Sequence, residues 1–224
     1  MRTHRLLPLA SLLAATFTLL AGCGVVPPGT GTGTGSSVGT AAKARAQLDS
    51  LTVAKVLSMR GYSRDRFPHW RDQGNGCDTR DVVLKRDGKN VHATADCKIV
   101  SGTWFSRYDG VTYTDPKKLD IDHVVPLANA WRSGAKNWTD DRRGDFANDL
   151  DRPQLLAVSL TQNRAKGDQD PSQWKPSSHA EWCDYAIRWI AVKHYWQLTV
   201  TQAEKTALID MLATCPAPSG TATG

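Results

Sequence analysis

The segments LDIDHVVPL (Leu119–Leu127) and QLLAVSLTQNRAKGD (Gln154–Asp168) decide the fold of this chain. The first is an apolar alternation that ends in a carboxylate, an imidazole and a proline, which is typical of a short strand and the turn behind it. The second reads as a buried strand followed by a short helix, because Ser159 and Gln162 have the spacing of a capping box. We therefore expect two strands and a helix that present polar side chains together.

These side chains suit metal-assisted hydrolysis of a phosphodiester. His123 can take a proton from water, since imidazole titrates near neutral pH. Asp122 and Asn163 offer oxygen ligands of the kind that a hard divalent cation prefers. Asn163 and Lys166 are three residues apart and share one face of the predicted helix. Neighbours on a regular strand point to opposite faces, so Asp122 and His123 can converge only if the strand ends there, and Pro126 is consistent with such an end.

The N-terminal residues have the layout of an export signal. Arg2 and Arg5 precede an apolar run, Leu6–Ala21, that is short for a membrane span. The following Gly22-Cys23 completes a pattern similar to the lipobox of bacterial lipoproteins. We predict a signal peptide at residues 1–22 and lipidation at Cys23, with an ordinary signal cut nearby as the alternative. The protein is then expected to be exported, either as a lipoprotein on the outer face of the cell membrane or as a secreted protein.

Composition limits the folded part to one domain. Residues 23–41 are rich in Gly, Thr, Ser and Pro and are predicted to form a flexible tether, and residues 217–224 a disordered tail. Residues 42–216 remain as the domain, with 118–170 as its core. The formal net charge is +6 for the whole chain. This mild excess permits a polyanionic partner without identifying one, and the sequence implies no protein partner.

Four cysteines remain in the predicted domain, an even number in a chain expected to be exported. Two disulfides are the natural interpretation, and three pairings are possible. We expect Cys77–Cys97 and Cys183–Cys215, because each would close a local unit. A zinc site is the competing interpretation, but the sequence has no Cys-x-x-Cys pair.

The part before the core predicts a helix, a loop and a β-hairpin. Residues 42–59 have apolar side chains near helical spacing. Tyr62–Trp70 reads as an ordered loop with aromatic anchors, in which His69 forms hydrogen bonds within the loop. Val82–Leu84 and Val91–Val100 read as the two arms of a hairpin.

The part after the core predicts a helical hairpin. Ser178-x-x-Glu181 and Thr201-x-x-Glu204 both match the capping box at the start of a helix. The tryptophans that follow Glu181 recur at helical spacing and are expected to be core residues. Together with the central strands, these elements predict the α+β class.

The residues Asp122–Leu127 and Gln154–Lys166 resemble the HNH endonucleases, which are also known as ββα-metal or His-Me finger nucleases. The closest resemblance is to secreted actinobacterial proteins whose core is related to the C-terminal domain of GmrSD-type restriction enzymes. This resemblance implies a ββα-metal core that holds one divalent metal ion, Mg²⁺ or Mn²⁺. It also implies cleavage of nucleic acid, DNA in preference to RNA, with low sequence specificity through backbone contacts.

The resemblance implies a role for each candidate residue. His123 matches the general base. Asp122 and Asn163 match the metal ligands. Lys166, and with it Arg164, would contact phosphate.

One position departs from the family pattern. Gln154 stands where the family has an asparagine that orients the catalytic loop, and Asn148 is a rival for that role. This departure leaves open a protein from another class, a non-catalytic surface lipoprotein that binds nucleic acid or cell-wall polymer. It also leaves open a hydrolase of some other phosphodiester. The plainest alternative is that His123 is a core histidine and Asn163 a helix surface residue.

Overall fold

The computed structural model of the protein describes residues 34–217, with side chains from Thr40 onward. The predicted signal peptide, Cys23 and the end of the tail lie outside the described residues. The α+β class expected from the sequence is confirmed. Within residues 34–217, no helix is both long enough and apolar enough to cross a membrane. The elements are α1 (Thr34–Ser50), α2 (Thr79–Asp87), β1 (Gly88–Ala93), β2 (Ile99–Ser106), β3 (Val111–Tyr113), β4 (Leu119–His123), α3 (Leu127–Arg132), α4 (Asp140–Ala147), β5 (Leu155–Ser159), α5 (Leu160–Lys166), α6 (Trp182–Trp196) and α7 (Gln202–Leu212).

Strands β4 and β5 form a two-stranded antiparallel sheet in which His123 pairs with Leu155. The chain passes from β5 straight into α5. The side chain of Ser159 accepts a hydrogen bond from the backbone N–H of Gln162 and so caps the first turn of this helix. Gly167 follows the helix with a φ of +54°, which glycine adopts without steric cost. The two decisive segments therefore form a strand–strand–helix unit.

This strand pair separates two hydrophobic cores. The smaller core lies on the face that carries Leu119 and Ile121, where α2 and the sheet β1–β2–β3 cover it. The larger core lies on the other face, which includes Leu156, and contains side chains of α1, α3, α6 and α7. On β4, that second face carries Asp120 and Asp122, both hydrogen-bonded to side chains of α5. The polar side of the predicted alternation is thus turned toward the helix.

The region between α1 and β4 differs from the prediction in helix α2 and in the arms of the hairpin. The apolar run Val82–Leu84, expected to be a strand, lies inside helix α2. Asp78 and Asp81 form a capping box at the start of this helix, and these two backbone bonds favour a helix over a strand. The hairpin follows the helix and consists of β1 and β2. The prediction of Val91–Val100 as a single arm is wrong, because these residues span the end of β1, the turn and the start of β2. The predicted Cys77–Cys97 disulfide is confirmed and ties the start of α2 to the hairpin.

Helix α1 is shifted toward the N-terminus relative to the predicted helix of residues 42–59. It begins within the predicted tether and ends at Ser50. It stops earlier because residues 52–54 leave the helix and form two backbone hydrogen bonds with Val200. Val56 and Met59, expected on a buried helical face, are exposed as a result.

The C-terminal helices α6 and α7 form the predicted helical hairpin. The Cys183–Cys215 disulfide is confirmed. The capping box of Thr201 and Glu204 is confirmed by both of its hydrogen bonds. The tryptophan stripe of α6 is core as predicted, since Trp189 is fully buried and Trp196 nearly so.

The capping box predicted at Ser178 is wrong. Helix α6 begins only at Trp182, and the side chain of Ser178 makes no capping bond. Glu181 is buried instead and forms ion pairs with Arg107 and Arg188. The Glu181 carboxylate, which a capping box would have directed to the backbone of Ser178, is instead paired with these two arginines.

Candidate active site

A cavity of about 250 Å³ opens where β4 ends. It is bounded by the end of β4, the start of α3, the end of α5 and the loop of residues 62–70. Three of the predicted site residues, Asp122, His123 and Asn163, line it together. Neighbours within a regular strand point to opposite faces, but β4 ends at His123. Asp122 and His123 can therefore line the same cavity.

Asp122 is buried and both of its carboxylate oxygens accept a hydrogen bond. Tyr108 donates its hydroxyl to Oδ2 at 2.6 Å. Lys166 donates from Nζ to Oδ1 at 2.8 Å and to the backbone oxygen of His123 at 2.9 Å. Burial, together with the charge of Asp122, raises the pKa of Tyr108 well above its ordinary value, so this phenol remains a donor. The orientation of the carboxylate is therefore fixed from two sides.

Asp122 and Lys166 form an ion pair that is closed to solvent, with side-chain exposures of 4% and 0%. Burial raises the pKa of Asp122 and lowers the pKa of Lys166, because it penalises the charged form of each. The opposite charge of the partner acts against burial in both cases. Each group thus favours the ionised form of the other against the effect of burial, and the ammonium of Lys166 is engaged within the protein.

His123 is buried, and neighbours on three sides fix its ring. Its Nε2 lies 2.9 Å from the backbone oxygen of Ala147. Trp70 stacks on the imidazole with a centroid distance of 5.4 Å and an interplanar angle of 12°. The ring of His69 meets it edge-on at 6.0 Å. A carbonyl oxygen can only accept, so the proton of the neutral ring is on Nε2 and the lone pair is on Nδ1.

The His123 ring is neutral at neutral pH. Burial lowers the pKa of His123 to about 3, and the nearby positive charge of Arg64 acts in the same direction. The hydrogen bond to Ala147 acts in the opposite direction and is outweighed. The imidazole is therefore in the form that can accept a proton, and a negatively charged group brought beside it raises its pKa and makes it a stronger base.

Acidification is expected to weaken the fold through His123. The unfolded imidazole takes up a proton near pH 6.5, whereas the folded one does so only near pH 3, so the unfolded state binds more protons between these values. The free energy of unfolding should then fall by about 1.4 kcal/mol per pH unit from this residue as the pH falls through that window. Urea unfolding in chelator from pH 7.5 to 4.5 measures it.

The variant His123→Gln keeps an amide donor for Ala147 but cannot titrate, so its stability should fall less steeply with acid than that of the wild type. The control is His92→Gln at an exposed position, which should follow the wild-type slope. Equal slopes for all three proteins would contradict the assignment of this acid sensitivity to His123.

Gln154 is fully buried and holds the two residues that follow His123. Its side chain accepts from the backbone N–H of Val125 at 3.1 Å and donates to the backbone oxygen of Val125 at 2.9 Å. Its own backbone oxygen accepts from Val124 at 2.8 Å. The extra methylene of glutamine therefore does not stop it from reaching the loop behind the imidazole.

The described hydrogen bonds of the Asn148 side chain lie outside the loop that follows His123. Its side chain joins the loop before α2 to the end of α4, through bonds to the backbone of Arg71, Pro68 and Gly144 and to the hydroxyl of Thr79. It makes no hydrogen bond to residues 123–126 among the described contacts. Of the two rivals, Gln154 is the residue that contacts the loop after His123.

Among the side chains of residues 40–217, the amide oxygen of Asn163 has no hydrogen-bond donor and is open to a ligand. Its nitrogen donates to Oδ2 of Asp120 at 3.2 Å. A carboxylate has about four lone-pair sites, so Asp122 retains acceptor capacity beside its two hydrogen bonds. Across residues 34–217 there is no group of three or more His, Cys, Asp or Glu side chains that could hold a metal. Two carboxylates line the cavity, and one of them, Asp168, is paired with Arg132. The other carboxylate, Asp122, and the amide oxygen of Asn163 fit a hard cation that keeps most of its own water.

Several residues at the site are absent from the sequence-based prediction. Asp120 could have been recognised, because it stands two residues before Asp122 and therefore on the same strand face. Trp70 belongs to a loop that the sequence marks as ordered, but nothing local shows that it stacks on His123. No sequence pattern around Tyr108 indicates that its hydroxyl donates to Asp122. Arg164, predicted to contact phosphate, is exposed on α5 and does not line the cavity.

Comparison with known proteins gives two matches. Residues 78–211 match the family described as GmrSD restriction endonucleases, C-terminal domain. A curated protein of Arthroderma benhamiae, named an uncharacterized secreted protein, is 52% identical over 178 residues, which is 80% of this chain and 87% of that protein. No solved structure matches.

The family match spans more than half of the chain and includes Asp122, His123, Gln154 and Asn163. The family name points to a function of the nuclease type. The similarity to a secreted protein and the two disulfides are consistent with export. This chain belongs to the family of GmrSD restriction endonuclease C-terminal domains.

Proposed function

We propose that the protein is an exported, metal-dependent endonuclease of the HNH type that hydrolyses phosphodiester bonds of nucleic acid. The observation that carries this proposal is the convergence of Asp122, His123 and Asn163 on one cavity. Family membership supports the nuclease class. The restriction endonucleases named in the family description favour DNA over RNA as the substrate.

Asp122 and Asn163 would hold one divalent cation, Mg²⁺ or Mn²⁺, which when bound offsets the charge on the phosphate oxygens and on the departing alkoxide. The chain itself favours the ionised form of Asp122 through Lys166 and orients the carboxylate through Tyr108. These two contacts therefore orient the metal ligand Asp122 in the absence of the cation.

His123 acts as the general base. Its Nδ1 lone pair accepts the proton of the attacking water, while the bond from Nε2 to Ala147 and the stacked ring of Trp70 keep the imidazole in one orientation. Gln154 acts as the positioning residue of this loop, because it fixes the backbone of Val125. Positioning of this kind is a large part of catalysis by such sites.

Export is supported by the signal-like N-terminus and by the two disulfides. A lipid at Cys23 would keep the enzyme at the outer face of the membrane, and an uncleaved or differently cut signal would change only its anchoring. Low sequence specificity follows if the substrate is held mainly by its backbone.

Removal of divalent metal is expected to abolish cleavage. The purified mature chain, with its disulfides formed, should degrade plasmid DNA in Mg²⁺ or Mn²⁺ and release no fragments in chelator, because the two protein ligands alone do not supply charge relief at the phosphate. RNA and a small phosphodiester are tested beside the plasmid. Cleavage of the small diester with intact nucleic acid would indicate another substrate. DNA binding in chelator without cleavage under either metal would instead identify a binding protein.

A further inference from the structure

Arg64 lines the same cavity as Asp122, His123 and Asn163. It stands at the start of a single 3₁₀ turn, Arg64–Arg66, and its side chain is exposed. The backbone N–H of Asp65 donates to the hydroxyl of Ser63 and so fixes the entry to this turn. An arginine therefore lines the same cavity as the candidate metal ligands.

His69 holds the Arg64 side chain in place. Nδ1 of His69 lies 2.6 Å from the backbone oxygen of Phe67, so this nitrogen must carry the proton. Nε2 then has the lone pair, and it accepts the Nε–H of Arg64 at 3.2 Å. This contact uses one of the five guanidinium N–H donors and leaves the two terminal nitrogens, which form the planar fork.

Two other cations near the cavity, Lys166 and Arg132, are engaged. Lys166 is buried on Asp122. Arg132 pairs with Asp168, with Nη1 at 2.6 Å from Oδ2. In residues 40–217, Arg64 forms no ion pair with a carboxylate, and its one side-chain hydrogen bond is to the ring of His69. A cation positioned by a histidine and free of any acid is prepared for an anion from solution.

We infer that Arg64, positioned by His69, binds the phosphate group that is cleaved. This inference rests on the proposed nuclease function and assigns to the loop of residues 62–70 the phosphate contact that the sequence places on Lys166 and Arg164. A guanidinium fork can donate to two phosphate oxygens at once, which a buried ammonium cannot do. The phosphate is then held in the cavity that Arg64 shares with His123 and the candidate metal ligands.

Two measurements test this inference on the full mature chain. The first is binding of a fluorescently labelled DNA duplex in chelator at a series of salt concentrations. The variant Arg64→Ala should bind more weakly and reduce the slope of log affinity against log salt by about 1, because one phosphate contact is lost. Arg64→Lys should keep most of that slope, since the charge remains.

The second measurement is kcat and KM for DNA cleavage in Mg²⁺. Arg64→Ala should lower kcat about 10²-fold, and Arg64→Lys should recover only part of it because lysine lacks the fork. His69→Ala should lower kcat with a nearly unchanged salt slope, since it releases the guanidinium without removing its charge. The matched control is Arg66→Ala, which lies on the same turn but pairs with Asp140 at 3.3 Å and does not line the cavity.

The outcomes separate the two proposals. A salt slope lowered by Arg64→Ala but not by Arg66→Ala, in a protein that does not cleave, would support the phosphate site and contradict the nuclease function. Cleavage and salt slope that respond equally to Arg64→Ala and Arg66→Ala would overturn the inference about Arg64 and leave the nuclease function standing.

Discussion

The variant His123→Ala is expected to cleave DNA about 10²–10⁴-fold more slowly than the wild type in the presence of metal, because it removes the general base. The ring is the only imidazole that lines the cavity in the described part of the chain. Its single donor is committed to Ala147, so the lost function is that of Nδ1. Single-turnover cleavage of plasmid DNA at saturating metal measures the loss.

Two companions make this test specific. His123→Gln keeps a donor for Ala147 and should be as inactive as the alanine variant, whereas His92→Ala at an exposed position should cleave normally. Added imidazole should partly restore His123→Ala if the cavity admits it, since the missing group is then supplied from solution. Cleavage that survives both substitutions at position 123 would place the base elsewhere.

The variant Lys166→Met is expected to lower the free energy of unfolding by about 3–5 kcal/mol, because it leaves Asp122 as a buried carboxylate without its ion-pair partner. The hydroxyl of Tyr108 remains as its only hydrogen-bond donor. Loss of Lys166 also raises the pKa of Asp122 further, since the lysine charge lowers it. The folded state then holds a proton that the unfolded state releases, so the deficit should grow as the pH rises from 4 to 8.

Urea unfolding of four variants, Lys166→Met, Asp122→Asn, the double variant of these two and Lys193→Met, separates the ion pair from the site. Lys166→Met combined with Asp122→Asn should lose less stability than Lys166→Met alone, because no unpaired charge is left buried. Lys193→Met breaks the other fully buried pair, Lys193–Glu204 at 2.8 Å, and should be destabilised to a similar degree. Only the changes at Lys166 and Asp122 should also alter metal-dependent cleavage. An additive double variant would contradict direct coupling between Lys166 and Asp122.

The sequence predicts those features that depend on local pattern. The spacing of Ser159 and Gln162, the glycine at position 167 and the proline at position 126 mark the strand–helix unit and the end of β4, and the structure agrees. The cysteine pairs are predictable because each closes a compact local unit, and both disulfides are confirmed. Asp122, His123 and Asn163 are placed correctly in one cavity since all three belong to that unit.

The features that the sequence does not predict depend on contacts between distant parts of the chain. Lys166 looks like a surface cation by its helical position, yet α5 packs against β4 and buries its ammonium on Asp122. Val82–Leu84 looks like a strand, and the capping bonds of Asp78 and Asp81 decide otherwise. The stacking of Trp70 on His123 requires a loop to return across the molecule, which no local pattern records.

The family match begins at residue 78, after the loop that supplies Arg64, His69 and Trp70. A protein shortened to the matched residues 78–211 would keep Asp122, His123 and Asn163 but would lose the ring that lies flat on the imidazole. It would also lose Phe67, which is fully buried between Trp131 and Phe146, and the disulfide partner Cys215. The boundary of the family match is therefore not the boundary of a transferable module. Any attempt to graft this domain onto another protein has to carry the preceding residues with it, because they complete the wall of the cavity.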